Sequence, residues 1–198
     1  MAAVVGHEDT RTRLLATALR LFTTHGVEGT SLQMIADELG VTKAAVYYHF
    51  KTKDEITEAV VEPGLRELEA TVEEATRERR PGARIDHLLT GFVDVVVRHR
   101  ALVALFSSDP GVARALEKHF FHKESAMAGM ITILAGPDPD PARLVAAHAA
   151  LAGIALAGGA PDLAHLDDPT LRDALLDVGR KLLGRPRPRA PRAPAHVR

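Results

Sequence analysis

Basic side chains concentrate in one short segment of this 198-residue chain, between Val41 and Lys53. The segment contains Lys43, Lys51, Lys53 and His49 and no acid, whereas the whole chain carries a formal net charge of −1. Ammonium groups bind DNA phosphates and also donate hydrogen bonds to guanine O6 and N7. The segment is therefore a candidate DNA contact, and a solvated helix face is the alternative interpretation of so short a basic run.

Both tyrosines of the chain, Tyr47 and Tyr48, lie side by side in this segment. Adjacent residues of a helix point in different directions, so the two rings cannot both face one interior. Val46 and Phe50 are spaced i and i+4, which places them on one side of a helix. The pattern predicts a short helix held by Val46 and Phe50, with aromatic and basic groups on its outer side.

Helical periodicity predicts the elements that come before this segment. Apolar residues at helical spacing predict a first helix over residues 10–24, which Gly26 would end. A second helix is expected to begin at Thr30, because the run from Thr30 to Gln33 has the S/T-x-x-E/Q form of a capping box.

A glycine turn separates the second helix from the third. Gly40 should end the second helix after about two turns, and Thr42 should cap a third helix that extends to Phe50. The small Ala36 lies where the two helices would cross, and Val46 would fill the gap between them. This spacing of small residue, glycine and apolar residue matches the general helix-turn-helix pattern.

The rest of the chain continues the helical pattern and predicts an all-α protein. A fourth helix should start near Thr52, with a kink or a break at Pro63. We expect a three-helix helix-turn-helix domain (residues 1–51), an antiparallel helical bundle of about five to six helices (52–184) and a disordered Arg/Pro tail (185–198). The further helices of the bundle are expected around Ile85–Val96, Ala101–Phe106, Val112–Leu134, Arg143–Ala157 and Pro169–Leu183.

The segment TSLQMIADELGVTKAAVYYHFKTKDE resembles the helix-turn-helix of the TetR family of bacterial transcriptional regulators. The resemblance covers about residues 10–56, and the ending YYHF-K-x-K followed by an acid-rich helix is typical of that family. It implies a regulator that binds a palindromic DNA operator as a homodimer, most often as a repressor.

The resemblance also implies roles for individual residues. Lys43, Ala44 and Tyr47 are expected to contact bases in the major groove, where alanine suits a thymine methyl group. Backbone contacts are expected from five further residues, and phosphate contacts or plain helix capping from two more. The five are Thr42, Tyr48, His49, Lys51 and Lys53, and the two are Ser31 and Gln33.

A dimer is expected because one recognition helix spans only a few base pairs, whereas a two-fold pair reaches successive major grooves. The last two helices suit this role. Residues 143–160 are rich in alanine and glycine, which permits close helix contact. The final helix carries a wide apolar stripe, Leu171, Leu175, Leu176, Val178, Leu182 and Leu183.

The middle helices are expected to enclose an apolar cavity for a small-molecule effector, as TetR-type regulators do. Bulky apolar side chains would line it and histidines would anchor polar groups of the ligand. Ordinary core packing is the alternative interpretation for the phenylalanines. The candidate pocket residues are Phe92, His99, Phe106, Phe120, Met127 and Met130.

Other kinds of site find little support. Ser107, Ser108 and Asp109 form a turn without a spaced base, so no catalytic residues are predicted. His119 and His122 are spaced for a metal ion, but exposed histidines are the simpler interpretation, and neither metal nor cofactor is expected. A sequence-independent DNA-binding protein would carry a large positive charge.

The absence of cysteine excludes disulfides and thiolate chemistry. The chain begins without the features of a signal peptide, and it has no uninterrupted apolar run of about 20 residues. We therefore expect a cytoplasmic protein without a membrane partner.

Overall fold

Ten α-helices and one short 3-10 helix form the part of the chain that the computed structural model describes, residues 2–120 and 125–185. All regular elements in these ranges are helical, as predicted. The tail beyond Arg185 lies outside the described residues. The helices are α1 (Ala2–Gly29), α2 (Leu32–Leu39), α3 (Lys43–His49), α4 (Lys53–Arg77), α5 (Pro81–Arg98), α6 (Arg100–Ser108), α7 (Pro110–Phe120), α8 (Ala126–Ala135), α9 (Pro141–Gly158) and α10 (Asp168–Leu182), with the 3-10 helix at Pro161–Leu163.

The caps of α2 and α3 define the helix-turn-helix. Gly40 ends α2 in the left-handed conformation (φ 67°, ψ 30°), and the Thr42 hydroxyl accepts a hydrogen bond from the Ala45 N–H at the start of α3. The predicted capping box at Thr30 is wrong by one residue, because Ser31 caps α2. Thr30 is buried instead, and its hydroxyl donates to the Gly26 carbonyl.

The first regular helical piece ends at Gly26, as predicted, because φ is 72° and ψ 165° there. α1 as given joins this piece to a short second one that ends at Gly29. α4 is not divided at Pro63 and runs as one helix to Arg77. A proline removes only one backbone hydrogen bond, and the buried Val61 and Leu65 on either side hold the helix against its neighbours.

The single helix predicted over Val112–Leu134 is wrong. α7 ends at Phe120, and α8 begins at Ala126 behind Ser125, whose hydroxyl accepts the Ala128 N–H at 3.3 Å. Residues 121–124 lie outside the described ranges. Apolar periodicity continues on both sides of the break, which is why the pattern alone suggested one helix. In the described ranges α3 is therefore followed by seven helices.

The buried apolar residues form two clusters. The N-terminal cluster joins α1, α2, α3 and the first half of α4, with Phe22, Ile35 and Ile56 at its centre. It also includes Leu102 of α6 and Val112 of α7. The C-terminal cluster joins α4, α5, α8, α9 and α10. Because α6 and α7 contribute to the N-terminal cluster, the helix-turn-helix is packed against the rest of the protein.

α9 is unusually apolar for a surface helix. Its 18 residues have a mean hydropathy of 1.4, and by length and composition it is the one described helix that could cross a membrane. One face, including Leu151 and Ile154, is buried in the C-terminal cluster. Just beyond its end, α6 approaches so closely that a Cβ on Gly159 would lie 2.6 Å from the backbone nitrogen of Ala104.

Asp109, between α6 and α7, joins the two parts of the molecule. One carboxylate oxygen accepts the Val27 N–H at 2.7 Å, and the other accepts the N–H groups of Gly111 and Val112 at 2.7 and 3.3 Å. The side chain therefore caps α7 and also holds the end of α1.

Replacing Asp109 with alanine should destabilise the protein, because three backbone N–H groups lose their acceptor. A loss of about 1–3 kcal/mol is expected, measured as a lower midpoint of urea unfolding. Asp138→Ala is the control, because Asp138 is exposed in the turn between α8 and α9. Equal midpoints for the two variants would contradict this role of Asp109.

Candidate nucleic-acid interface

The outer side of α3 is a polar and aromatic surface. Tyr47 and Tyr48 are 41% and 68% exposed, whereas Val46 is fully buried. Lys43 and Ala44, at the start of the helix, are also exposed. The Lys43 ammonium lies 5.7 Å from the centre of the Tyr47 ring, which is within the range of a cation–π contact.

Packing on the inner side fixes the orientation of α3. Val46 and Phe50 are buried in the N-terminal cluster together with Ala36, which is fully buried where α2 and α3 cross. The guanidinium of Arg11 lies 5.3 Å from the Phe50 ring centre and covers this edge of the cluster.

The other two lysines of the basic segment have partners within the protein. The Lys51 ammonium donates to the Tyr47 carbonyl at 2.6 Å and so closes the last turn of α3. Lys53 forms an ion pair with Glu28 at 3.1 Å. Lys43 differs from these two lysines, because its ammonium lies over the exposed Tyr47 ring on the outer side of α3.

Glu28 was not identified from the sequence, although it connects three helices. Its carboxylate pairs with Lys53 of α4 and, at 2.7 Å, with Arg114 of α7. These hydrogen bonds, that of Lys53 foremost, hold the pKa of Glu28 below its ordinary value. Long-range ion pairs of this kind leave no periodic signal in a sequence.

The remaining predicted contact residues border the same surface. The Ser31 hydroxyl accepts the Met34 N–H at 3.1 Å, so Ser31 does cap α2. Gln33 does not take part in the cap, because its amide donates to the Asp37 carboxylate at 2.6 Å. His49 is half-buried and meets the Tyr48 ring edge-on, with 5.3 Å between ring centres.

A second candidate site is a cavity of about 290 Å³ enclosed by α4, α5, α6, α8 and α9. Phe92, His99, Phe106 and Met127 line it, as predicted from the sequence. Met130 does not line this cavity and is fully buried in the C-terminal cluster, so that assignment is wrong. The side chain of Phe120 lies outside the described part of the structure.

The sequence did not reveal the walls that α4 and α9 contribute. Val61, Leu65, Leu151 and Ala155 line the cavity, and they are indistinguishable from ordinary core residues in the sequence. Val61 and Leu65 belong to the N-terminal cluster and Leu151 to the C-terminal cluster. The cavity therefore lies where the two clusters meet.

The turn that contains Ser108 and Asp109 has a structural role. The Asp109 carboxylate is occupied by three backbone N–H groups, and the Ser108 hydroxyl donates to the Ala104 carbonyl. Among the described residues no three potential ligands converge on a metal site. The pair His119 and His122 lies in the segment whose side chains are not described.

The first three helices, of which α3 exposes one face, define a helix-turn-helix DNA-binding domain. Residues 14–60 match the family model "Bacterial regulatory proteins, tetR family". The N-terminal segment is 49% identical over 49 residues to the HTH-type transcriptional regulator AcrR of Shigella flexneri, covering 25% of this chain and 23% of that protein. The match thus spans about a quarter of this curated relative.

Solved structures are similar over most of the chain. A regulator of the TetR/AcrR family from Thermobifida fusca is 27% identical, with a TM-score of 0.58, covering 88% of this chain and 97% of that one. AibR, in complex with isovaleryl coenzyme A and operator DNA, has a TM-score of 0.60 at 19% identity, covering 85% and 96%. The N-terminal segment therefore resembles the DNA-binding segment of TetR-family regulators, and the whole chain has a fold similar to that of TetR/AcrR regulators.

The ion pairs of Glu28 should make stability depend on pH. A carboxylate whose pKa is lowered by folding contributes stability above its unfolded pKa, and the contribution is lost as pH falls through the folded pKa. Unfolding of the wild type and Glu28→Gln should therefore differ most above about pH 5, and the difference should shrink as pH falls below that range. Thermal melts across this range test the prediction, with the exposed Glu69→Gln as control.

A constant difference between wild type and Glu28→Gln down to pH 3 would show that the ion pairs do not cause it.

Proposed function

We propose that this chain is a transcriptional repressor that binds a palindromic operator as a homodimer and is released by an apolar small molecule. The main observation in support is the geometry of α3. Val46 is buried on its inner side, whereas Lys43, Ala44 and Tyr47 are exposed on its outer side. The width of an α-helix suits the major groove of B-DNA. Lys43 and Ala44 lie at the N-terminus of α3, and Tyr47 follows Lys43 by about one turn.

Two kinds of contact are assigned to this surface. Lys43, Ala44 and Tyr47 read base edges, with Lys43 donating to guanine and Ala44 meeting a thymine methyl group. Residues around them hold the sugar-phosphate backbone and set the register. These backbone residues are Ser31, Gln33, Thr42, Tyr48, His49, Lys51 and Lys53. Of these, Lys53 already donates to Glu28, so a phosphate would share its ammonium with that carboxylate.

Dimerisation is assigned to an exposed apolar surface on the last two long helices, here called the α9–α10 face. It consists of Val145, Ala149, Ala152 and Leu156 of α9 with Val178 and Leu182 of α10, all exposed. The face has no charged side chain, and a second copy of the chain would bury it. Leu171, Leu175 and Leu176, which the sequence suggested for this role, lie in the C-terminal cluster instead.

The cavity supports the assignment of an effector site. It touches both hydrophobic clusters, so an occupant contacts residues that also support the helix-turn-helix. AibR, which has a similar fold, has been solved with both an acyl coenzyme A and operator DNA. Residues 1–51 thus bind DNA and residues 52–184 sense the effector and dimerise. The place of action is the cytoplasm.

Alanine at both Lys43 and Tyr47 should reduce affinity for the operator by at least ten-fold, because base contacts are worth about 1–3 kcal/mol each. The operator is first obtained by selection from random duplexes and confirmed by genome-wide mapping, and affinity is measured by fluorescence anisotropy. Arg79→Ala, at an exposed position in the turn before α5, is the control. Undiminished binding by the double variant would exclude α3 as the recognition helix.

A glutamate at both Leu156 and Val178 should convert the dimer to a monomer, because it places two charges on the apolar α9–α10 face that the dimer would bury. Sedimentation velocity measures the change, and operator affinity should fall with it. Thr132→Glu, at an exposed position of α8, is the matched control. A double variant that remains dimeric would place the interface elsewhere.

A further inference from the structure

The cavity is apolar over almost all of its described lining. Its walls are mainly aliphatic, phenylalanine and methionine side chains. Among the described lining residues, only His99 and His148 carry side-chain nitrogen, and none is Lys, Arg, Asp or Glu. A carboxylate or ammonium group placed there would lose its water without gaining an ion pair. The lining therefore favours an uncharged ligand.

The volume limits the size of that ligand. An apolar protein cavity of about 150 Å³ holds benzene, and this cavity measures about 290 Å³. An occupant of about twice the size of benzene, such as a two-ring aromatic molecule, would therefore fill it. Phe92, Phe106 and Met127 supply the ring faces and polarisable sulfur that pack well against aromatic ligands.

His148, whose Nδ1 lies 2.9 Å from the Leu144 carbonyl oxygen, is exposed, and His99 is the more buried of the two histidines in the wall. It lies between α5 and α6, and its Nε2 is 3.1 Å from Oε1 of Glu67 on α4. The other oxygen of Glu67 accepts from Arg98. The ring also packs on α4, where a Cβ on Gly64 would lie 3.7 Å away.

This arrangement determines which hydrogen bond His99 offers. A carboxylate accepts but does not donate, so in the neutral imidazole Nε2 carries the proton that Glu67 binds. The other nitrogen, Nδ1, is then an acceptor. A ligand that meets it must donate, which an alcohol or a phenol does and an ether does not.

We propose that the cavity binds an uncharged two-ring aromatic molecule, or a hydrocarbon of similar size, whose single hydroxyl group donates to Nδ1 of His99. The proposal rests on the proposed function only in treating the cavity as the effector site. Glu67 is a positioning residue, because it acts through the proton of His99.

Four naphthalene derivatives test the ligand class with the full-length protein, by isothermal titration calorimetry at neutral pH. They are 2-naphthol, 2-methoxynaphthalene, 2-naphthoate and 2-(aminomethyl)naphthalene. We expect 2-naphthol to bind about five-fold more tightly than the methyl ether, the effect of about one hydrogen bond. The anion and the cation should bind at least about thirty-fold more weakly than 2-naphthol.

Variants test the role of His99. His99→Phe keeps a ring on Gly64 but removes the acceptor, so naphthol and its ether should bind equally. In Glu67→Gln the amide oxygen can remain with Arg98 and its NH₂ then donates to Nε2, which moves the imidazole proton to Nδ1. The preference for naphthol should therefore disappear, because the oxygen atoms of naphthol and of the ether can both accept from Nδ1–H. His165→Phe, at an exposed position in the loop before α10, is the control and should keep the wild-type preference.

Location of the site is tested with Ala155→Phe, which should abolish binding by filling the cavity, and circular dichroism checks that this variant is folded. If Ala155→Phe is not folded, the binding of the four naphthalene derivatives to the wild type remains as the test of the proposal.

Equal or tighter binding of the anion or the cation would overturn the proposal, as would no binding of 2-naphthol at 1 mM or an unchanged preference in His99→Phe. Operator binding is measured on the same samples. Binding of naphthol without release of DNA would support the ligand class and contradict the proposal that the cavity is the effector site. If the protein bound no operator, the proposed function would be contradicted, but the ligand class would not.

Discussion

The burial of Val46 in the N-terminal cluster, which also contains Ala36 of α2, is the interaction on which the DNA-binding surface depends. α3 has seven residues, and a helix of that length is not stable by itself in water. Its shape and direction come from the fully buried contact with α2 and from the caps at Gly40 and Thr42. Without that contact the exposed lysine and tyrosine side chains would belong to a flexible segment and could not hold a fixed register on DNA.

The same core extends into the second half of the molecule. Leu102 of α6 lies in the N-terminal cluster and also lines the cavity, and Leu65 of α4 does the same. Asp109 and Glu28 add polar connections between these parts, through the Val27 N–H and through Arg114 of α7. The cluster that supports the helix-turn-helix and the wall of the cavity therefore share side chains, so that a change in one affects the other.

Local signals made the helix-turn-helix predictable, because glycine and threonine mark its turn and cap at Gly40 and Thr42 within a few residues. The choice between Thr30 and Ser31 as cap depended on which hydroxyl was buried, and that is a tertiary property. The break before Ala126 was missed because apolar spacing continues across it. Glu28 was missed because its partners are distant in the chain. Four of the six predicted pocket residues line the cavity, but its aliphatic walls look like any core.

The close approach of α6 to Gly159 has a mechanical consequence. The backbone at Ala104, near the middle of α6, lies so close to Gly159 that a side chain there would collide with it. Any larger residue at position 159 would therefore force α6 away from the end of α9. Because Leu102 of α6 belongs both to the wall of the cavity and to the N-terminal cluster, such a displacement would disturb both.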